Sequence, residues 1–385
     1  MKKTILFLFL LCSYSGHSQT FNPFYQSIVD NCNYDSLSNT MIALAGFGVK
    51  EPGTQALDDA RDWILGKYAS WGYTNVVDDA FTYSGFTVDN IITTKTGTVY
   101  PNTYLILCAH YDTKNGVGAN DNGSGTSIIL EMARLLKDVE TEYSIKFINF
   151  SVEEEGLIGS QHYVNNTVIP QNLDILLVYN IDEVGGISGM TNDIVTCERD
   201  QSAPTGNDAA SDAATTTLAN CIQLYSTLNT EISYAYASDY MPFQANGEII
   251  TGLYEKNETP YAHTTMDVMA NLDTSYVFDI LQGGLGAAIE FAIAVEPANG
   301  LQEKIFSYNI YPNPVEDHFT MSSGGLKGKN VKINLVTLAG RSIYNKTIET
   351  FPGKIMFTLP NVAPGSYLLE INCEDNTASE IIIVQ

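Results

Sequence analysis

His110, Asp112, Asp121, Glu153, Glu154, Asp182 and His263 are the residues of this chain whose types and spacing can do chemistry. They sit in five short stretches, AHYDT, GANDNGSG, SVEEEG, YNIDEVGG and PYAHTTMD, met in that order. This mixture of imidazoles and carboxylates suits borderline-soft divalent cations. A pair of such ions needs one imidazole and one terminal carboxylate each, with a further carboxylate shared. Asp112, two residues past His110, is placed to accept the imidazole's other N–H, which fixes the ring tautomer and raises its basicity. The glycines of GANDNGSG permit a tight loop that brings Asp121 over as the shared carboxylate, while Asn120 and Asn122 carry no charge. Ser124 is placed to cap the helix that follows. Glu153, Glu154 and Glu155 repel one another unless cations relieve them, and neighbouring acids can then divide the work, one binding metal and one moving protons. Asp182 ends an apolar strand and can ligate opposite Glu154, with Glu183 beside it expected to face solvent. His263 lies in a polar loop, whereas His162 and His318 read as ordinary structural histidines.

These residues must be positioned by a framework. Helical spacing marks residues 58–71, 124–137, 159–165, 213–228 and 274–294. Apolar or β-branched runs mark strands at 81–94, 104–110, 145–152, 175–181 and 249–254. Strand and helix alternate, which predicts an α/β fold: a mixed, mostly parallel sheet with helices on both faces. Ligands of such sheets bind beyond the carboxyl ends of the strands, where His110, Glu153, Glu154 and Asp182 fall. From Ile305 onward short β runs broken by Pro and Gly (YNIYPNP, VKINLVTLAG, KIMFTLPNVAPGSYLLEI, SEIIIVQ) predict a small all-β sandwich.

The first residues read as a targeting signal. Lys2 and Lys3 precede the apolar run Ile5 to Cys12, and Gly16-His17-Ser18 is a small-x-small cleavage site. The predicted organisation is a signal peptide at 1–18 and a catalytic domain at 19–296, in which 19–36 is a propeptide or N-terminal extension. A linker at 297–304 and the β domain at 305–385 follow. The chain carries 19 Lys+Arg against 44 Asp+Glu, and the leader takes two of the cations. That balance argues against nucleic-acid binding or a basic membrane-facing patch. No run after the leader predicts a membrane span. Five cysteines follow the leader, an odd number; Cys108 reads as a buried hydrophobe and Cys197 with Cys221 as a pair able to bridge in an exported protein.

With these motifs in view, the chain resembles the secreted co-catalytic dizinc aminopeptidases, the bacterial leucyl-aminopeptidase type with the transferrin-receptor-like peptidase fold. The likeness runs from about Ser36 to Ala294 and rests on AHYDT, GANDNGSG, EEEGLIGS, NIDEVG, SDYMPF and AHTTMD. It implies two zinc ions per chain, His110 and Asp182 on one, Glu154 and His263 on the other, and Asp121 bridging. It further implies a zinc-bridging hydroxide, Glu153 as general base and acid, and Asp112 as the partner of His110. Two departures stand out. Ser238-Asp239-Tyr240 replaces the family's frequent SDH, and Ala262 stands where some members place an oxyanion-stabilising tyrosine. Tyr236, Tyr234 or Tyr261 are the candidates to replace it. IYPNPVED, LAGR and APGSYLLEI resemble the type A sorting domain of proteins exported by the Bacteroidetes type IX secretion system.

The expected function is an exported zinc metallo-aminopeptidase acting on peptides with a free N-terminus. It would be secreted or displayed on the surface after passing the periplasm, with the secretion machinery as partner of the C-terminal domain. Arg199 is the sole arginine between Glu153 and the end of the α/β region, which favours the amino end of a peptide over its carboxylate. The alternatives are a glutaminyl-cyclase-like enzyme with one zinc and a non-catalytic binding module on the same fold.

Overall fold

The computed structural model describes residues 19–297, 308–337, 341–359, 362–373 and 376–385. The expected signal peptide, nearly all of the expected linker and most of the LAGR turn lie outside them. The chain divides into two compact units, one ending at Glu296 and one starting at Pro297.

The first unit is built on an eight-stranded sheet: β1 (Val77–Tyr83), β2 (Phe86–Lys95), β3 (Tyr100–His110), β4 (Tyr143–Phe150), β5 (Asp174–Ile181), β6 (Ile194–Arg199), β7 (Asn229–Tyr234) and β8 (Ile250–Glu255). Their order is β1-β2-β4-β3-β5-β8-β6-β7. The β3–β4, β3–β5, β5–β8 and β6–β7 pairs are parallel, and the others antiparallel. The helices are α1 (Pro23–Val29), α2 (Tyr34–Gly46), α3 (Gln55–Ser70), α4 (Gly123–Leu136), α5 (Ile158–Tyr163), α6 (Ile169–Gln171), α7 (Asp208–Tyr225), α8 (Met241–Ala245) and α9 (Thr274–Phe291).

Central β3 shows why the sheet is covered on both faces. Leu105, Leu107 and Ala109 enter one core with side chains of α2, α3, α4, α7 and α9. Ile106 and Cys108 enter a second core with Tyr163 and Phe243 of α5 and α8. Successive side chains of a strand point to opposite faces, so an uninterrupted apolar run buries both.

Several elements add to the expectations or depart from them. The run 81–94 is a hairpin, because Ser84 and Gly85 both take positive φ, 49° and 88°, and turn the chain between β1 and β2. β7 is a polar edge strand with largely exposed side chains, so its sequence lacks an apolar alternation. Segment 19–36 forms α1 and the start of α2, each entered through an asparagine cap, Asn22 and Asn33. The Asn22 main-chain N–H donates to the Tyr225 hydroxyl at 3.0 Å, which fastens this segment to α7. Cys197 and Cys221 are both free thiols rather than a disulfide; each is packed into the large core as a small hydrophobe. No helix among the described residues is long and apolar enough to cross a membrane.

The second unit is all β. β9 (Asn309–Tyr311), β10 (His318–Ser322) and β13 (Lys354–Thr358) form one antiparallel sheet. β11 (Val331–Thr337), β12 (Ser342–Ile348), β14 (Gly365–Cys373) and β15 (Asn376–Val384) form another. Phe319 and Phe357 stack at 5.1 Å within its core, with Ile333, Leu335, Leu369 and Ile371 around them.

Candidate metal centre

The carboxyl edge of the parallel strands gathers the chemistry. His110 is the last residue of β3, Glu153 and Glu154 follow β4, and Asp182 follows β5. Asp121 arrives on the loop before α4, and His263 on the loop after β8. His110 Nε2 stands 3.2 Å from Asp182 Oδ1 and 3.3 Å from Asp121 Oδ1. On the other side, His263 Nε2 stands 3.1 Å from Asp121 Oδ2 and 2.7 Å from Glu154 Oε2. The two oxygens of Asp121 therefore face two different imidazole–carboxylate pairs. One donor atom from each of His110, Asp121 and Glu154 lies within 4.8 Å of the others, as does one from each of His110, Glu153 and Asp182. Glu153 Oε2 is the more distant neighbour of His110 Nε2, at 3.9 Å.

Asp112 stands beside His110, as its sequence reading has it, and serves this edge in a second way as well. The His110 Nδ1 atom lies 3.2 Å from the Asp112 main-chain carbonyl and 3.5 Å from its carboxylate. The wholly buried carboxylate accepts the main-chain N–H groups of Glu153 at 3.1 Å and Glu154 at 3.3 Å, fixing the acid pair. The turn that carries those acids is left-handed at Val152 (φ 60°) and again at Gly156 and Leu157. The Ile158 N–H donates to the Val152 carbonyl at 3.0 Å and closes the turn. Glu155 points outward to Lys114, at 3.3 Å.

The Asp121 loop is held by groups that sequence patterns do not expose. Asp267, buried on the loop of His263, accepts the N–H groups of Asn120 at 2.7 Å and Asp121 at 3.0 Å. Asn122, rather than Ser124, caps α4 by accepting the Gly125 N–H at 2.8 Å. Gly125 is needed for close approach, since a Cβ there would meet the Ile181 carbonyl oxygen at 2.2 Å. The Ser124 hydroxyl instead donates to the Asn120 carbonyl and receives the Val184 N–H. Asp182 is steadied by Ser238, whose hydroxyl donates to Oδ2 at 2.5 Å.

His110, Asp121, Glu153, Glu154, Asp182 and His263 line a cavity of about 340 Å³ together with Gly156, Leu157, Glu183, Tyr236 and Ala237, a size within the range of small-ligand sites. Glu183 thus faces the cavity, contrary to expectation, because a positive φ of 44° turns it back beside Asp182. Of the three tyrosine candidates, Tyr236 lines the cavity, its ring 6.0 Å from that of Tyr254. Tyr234 lies under Arg199 on the edge strand, and Tyr261 is not among the lining residues.

The charges are crowded. Burial, with the charges of Asp182, Asp239 and Asp112 adding to it, pushes the Glu153 carboxyl up to about 10. Burial and then Asp121 push Glu154 up to about 8. Burial also works to raise Asp121, but hydrogen bonds from His110 and His263 outweigh it and hold this carboxyl well below its usual range. Burial acts to lower His110, yet the facing acids hold it well above the ordinary imidazole value. Such a cluster calls for cationic charge at its centre.

A parallel sheet edge with this donor set defines an α/β domain whose strand ends are suited to hold divalent metal. The chain belongs to peptidase family M28, whose model matches residues 90–282, about half of its length. A second model, the secretion system C-terminal sorting domain, matches residues 309–385. The chain is similar to the aminopeptidase YwaD of Bacillus subtilis (strain 168), 36% identical over 152 residues that make up 39% of this chain and 30% of that protein. The chain thus spans about a third of the length of that relative. Among solved structures, the LapA aminopeptidase of Legionella pneumophila matches with a TM-score of 0.63 and 20% identity, covering 77% of this chain and 81% of that one. A glutaminyl cyclase of Bacteroides thetaiotaomicron matches with a TM-score of 0.56 and 20% identity, covering 66% and 97%. At that identity the likeness is one of fold. A fold shared by a peptidase and a cyclase leaves the reaction to be argued from the site.

Proposed function

We propose that this chain is an exported zinc aminopeptidase with two metal ions, one water-activating acid and an acidic pocket for the substrate's amino terminus. The observation that carries the reading is the stance of Asp121, whose two oxygens each face a separate imidazole–carboxylate pair. The donor set fits two zinc ions: His110 and Asp182 would hold one, Glu154 and His263 the other, and Asp121 both. The buried Oε1 of Glu154 has no hydrogen-bond partner in the protein, as suits an atom reserved for a ligand. Zinc bound there would polarise the scissile carbonyl and lower the pKa of the attacking water.

The chain's own residues do the rest. Glu153 takes the water's proton and returns it to the leaving amine. Its main chain is fixed by Asp112, so the carboxylate is presented without rearrangement. Tyr236 donates a hydrogen bond to the carbonyl oxygen as negative charge develops there. Beyond the metal-holding acids and Glu153, the described lining adds Glu183 and neither Lys nor Arg, which supports recognition of an ammonium group over a terminal carboxylate. The C-terminal unit delivers the enzyme to the secretion machinery, for release or surface display.

Metal analysis joined to a panel of aminoacyl chromogenic substrates tests this reading. Two zinc ions per chain with release of the first residue is the expected result. One zinc with cyclisation of N-terminal glutamine would make the chain a glutaminyl cyclase, and no bound metal would leave a binding module.

A further inference from the structure

Tyr240 occupies the place where the resembled family often carries histidine, and it is wholly buried. Its hydroxyl donates to Glu198 Oε2 at 2.6 Å and accepts the main-chain N–H of Tyr236 at 3.2 Å. Glu198 is itself buried, on β6. Opposite it in the β6–β8 register stands Gly252, where a Cβ would meet Tyr240 Cε1 at 2.7 Å and Glu198 Oε2 at 3.1 Å. The sheet therefore leaves room for this phenol and this carboxylate together.

The pair closes a short loop. The Ala235 N–H is fixed to the Arg199 carbonyl at 2.8 Å. Ser238 bonds to Asp182 and receives the Asn180 side-chain N–H at 2.8 Å. Tyr236 and Ala237, between these ties, are the loop's exposed residues, and both line the cavity. An apolar pair could fill the same core volume without the cost of burying a carboxylate, so the polar pair is better explained by geometry than by stability.

We infer that Tyr240 and Glu198 form a positioning pair for Tyr236. The buried carboxylate fixes the direction of the Tyr240 hydroxyl, whose lone pair then holds the Tyr236 main chain and sets where its phenol stands over the metal centre. This rests on the proposal that Tyr236 acts on the substrate carbonyl.

The test compares Tyr240→Phe, Tyr236→Phe and the double variant in the full, zinc-loaded chain, measuring kcat, KM and zinc per chain. Tyr236→Phe is expected to lose roughly 10²–10³-fold in kcat, the usual loss for one oxyanion donor. Tyr240→Phe is expected to lose about tenfold or more of the same quantity, with KM and zinc content unchanged, and to cost little further in the Tyr236→Phe background. Normal turnover by Tyr240→Phe beside a crippled Tyr236→Phe would overturn the pairing, as would losses that simply multiply. Full activity in Tyr236→Phe would instead remove the reading of Tyr236 beneath it. If Tyr240→Phe does not fold, Glu198→Gln takes its place. A loss of a few-fold in kcat that vanishes in the Tyr236→Phe background supports the pair, and unchanged turnover overturns it.

Discussion

Replacing Asp112 by Asn is the sharpest way to ask what holds the acid pair. The aspartate carboxylate accepts two main-chain N–H groups, from Glu153 at 3.1 Å and Glu154 at 3.3 Å. An asparagine side chain has one acceptor oxygen, so one of those N–H groups would face an amide NH₂ instead. The change removes one hydrogen bond to a charged group, worth about 1.5–3 kcal/mol, and weakens the other. At 1.4 kcal/mol per decade, that corresponds to a loss of roughly ten- to a hundredfold in whatever depends on the two acids. His110 should lose less, because its Nδ1 keeps the Asp112 main-chain carbonyl at 3.2 Å while the carboxylate stands farther off, at 3.5 Å. The loss should therefore fall on zinc held through Glu154 and on turnover through Glu153. Competition with a chromogenic chelator measures the first, and kcat at saturating substrate the second. In a Glu154→Gln background, Asp112→Asn should cost little further zinc affinity. Unchanged affinity and turnover, or a loss that persists fully in that background, would refute the reasoning.

Other expectations follow from the same geometry. Glu153→Gln should keep both zinc ions while turnover falls by at least roughly 10²–10⁴-fold; Glu154→Gln should weaken one ion, and Glu155→Gln should change neither zinc content nor rate. Removing the metals should make stability depend on pH. Glu153 and Glu154, pushed up to about 10 and about 8 from 4.5, still hold protons in the folded chain after the unfolded chain has released them. Metal-free stability should thus fall as pH rises from about 4.5 through those values, read as a falling urea midpoint, and a flat profile would contradict the crowding. A chain ending near Pro297 should fold, bind zinc and turn over substrate normally in vitro, since every proposed ligand lies in the first unit; loss of zinc would show that the division is wrong.

The strand-end residues were legible because one local pattern places each of them. An apolar run followed by His110, by Glu153 and Glu154, or by Asp182 puts a polar side chain where a parallel sheet opens. The helical spacing of α4 and α9 was equally local. What stayed hidden depends on contacts between distant loops. Asp267 reaches the Asp121 main chain from the loop that carries His263, and Ser238 reaches Asp182 from the loop after β7. Glu183 read as a solvent-facing acid because nothing in its type announces a positive φ. The sequence pattern sets Tyr236 and Tyr234 ahead of Tyr261 but cannot choose between them, since only the path of the loop from Ala235 to Tyr240 puts Tyr236 in the cavity lining. The short β6 and the polar edge strand β7 lacked a readable period, and the Ser84-Gly85 turn was absorbed into one β run.

Val152 has a consequence for anyone selecting hardier variants of this protein. A β-branched residue in left-handed backbone costs roughly 1–3 kcal/mol, while its fully buried side chain contributes a comparable 1.5–3 kcal/mol or so. The two nearly offset, so a screen for heat survival would accept glycine here almost freely. Glycine also frees the backbone just before Glu153, whose main-chain N–H bonds the Asp112 carboxylate, and removes a side chain packed in the large core. Selection on survival alone would therefore scarcely distinguish the two residues, while selection on turnover would keep returning the strained valine.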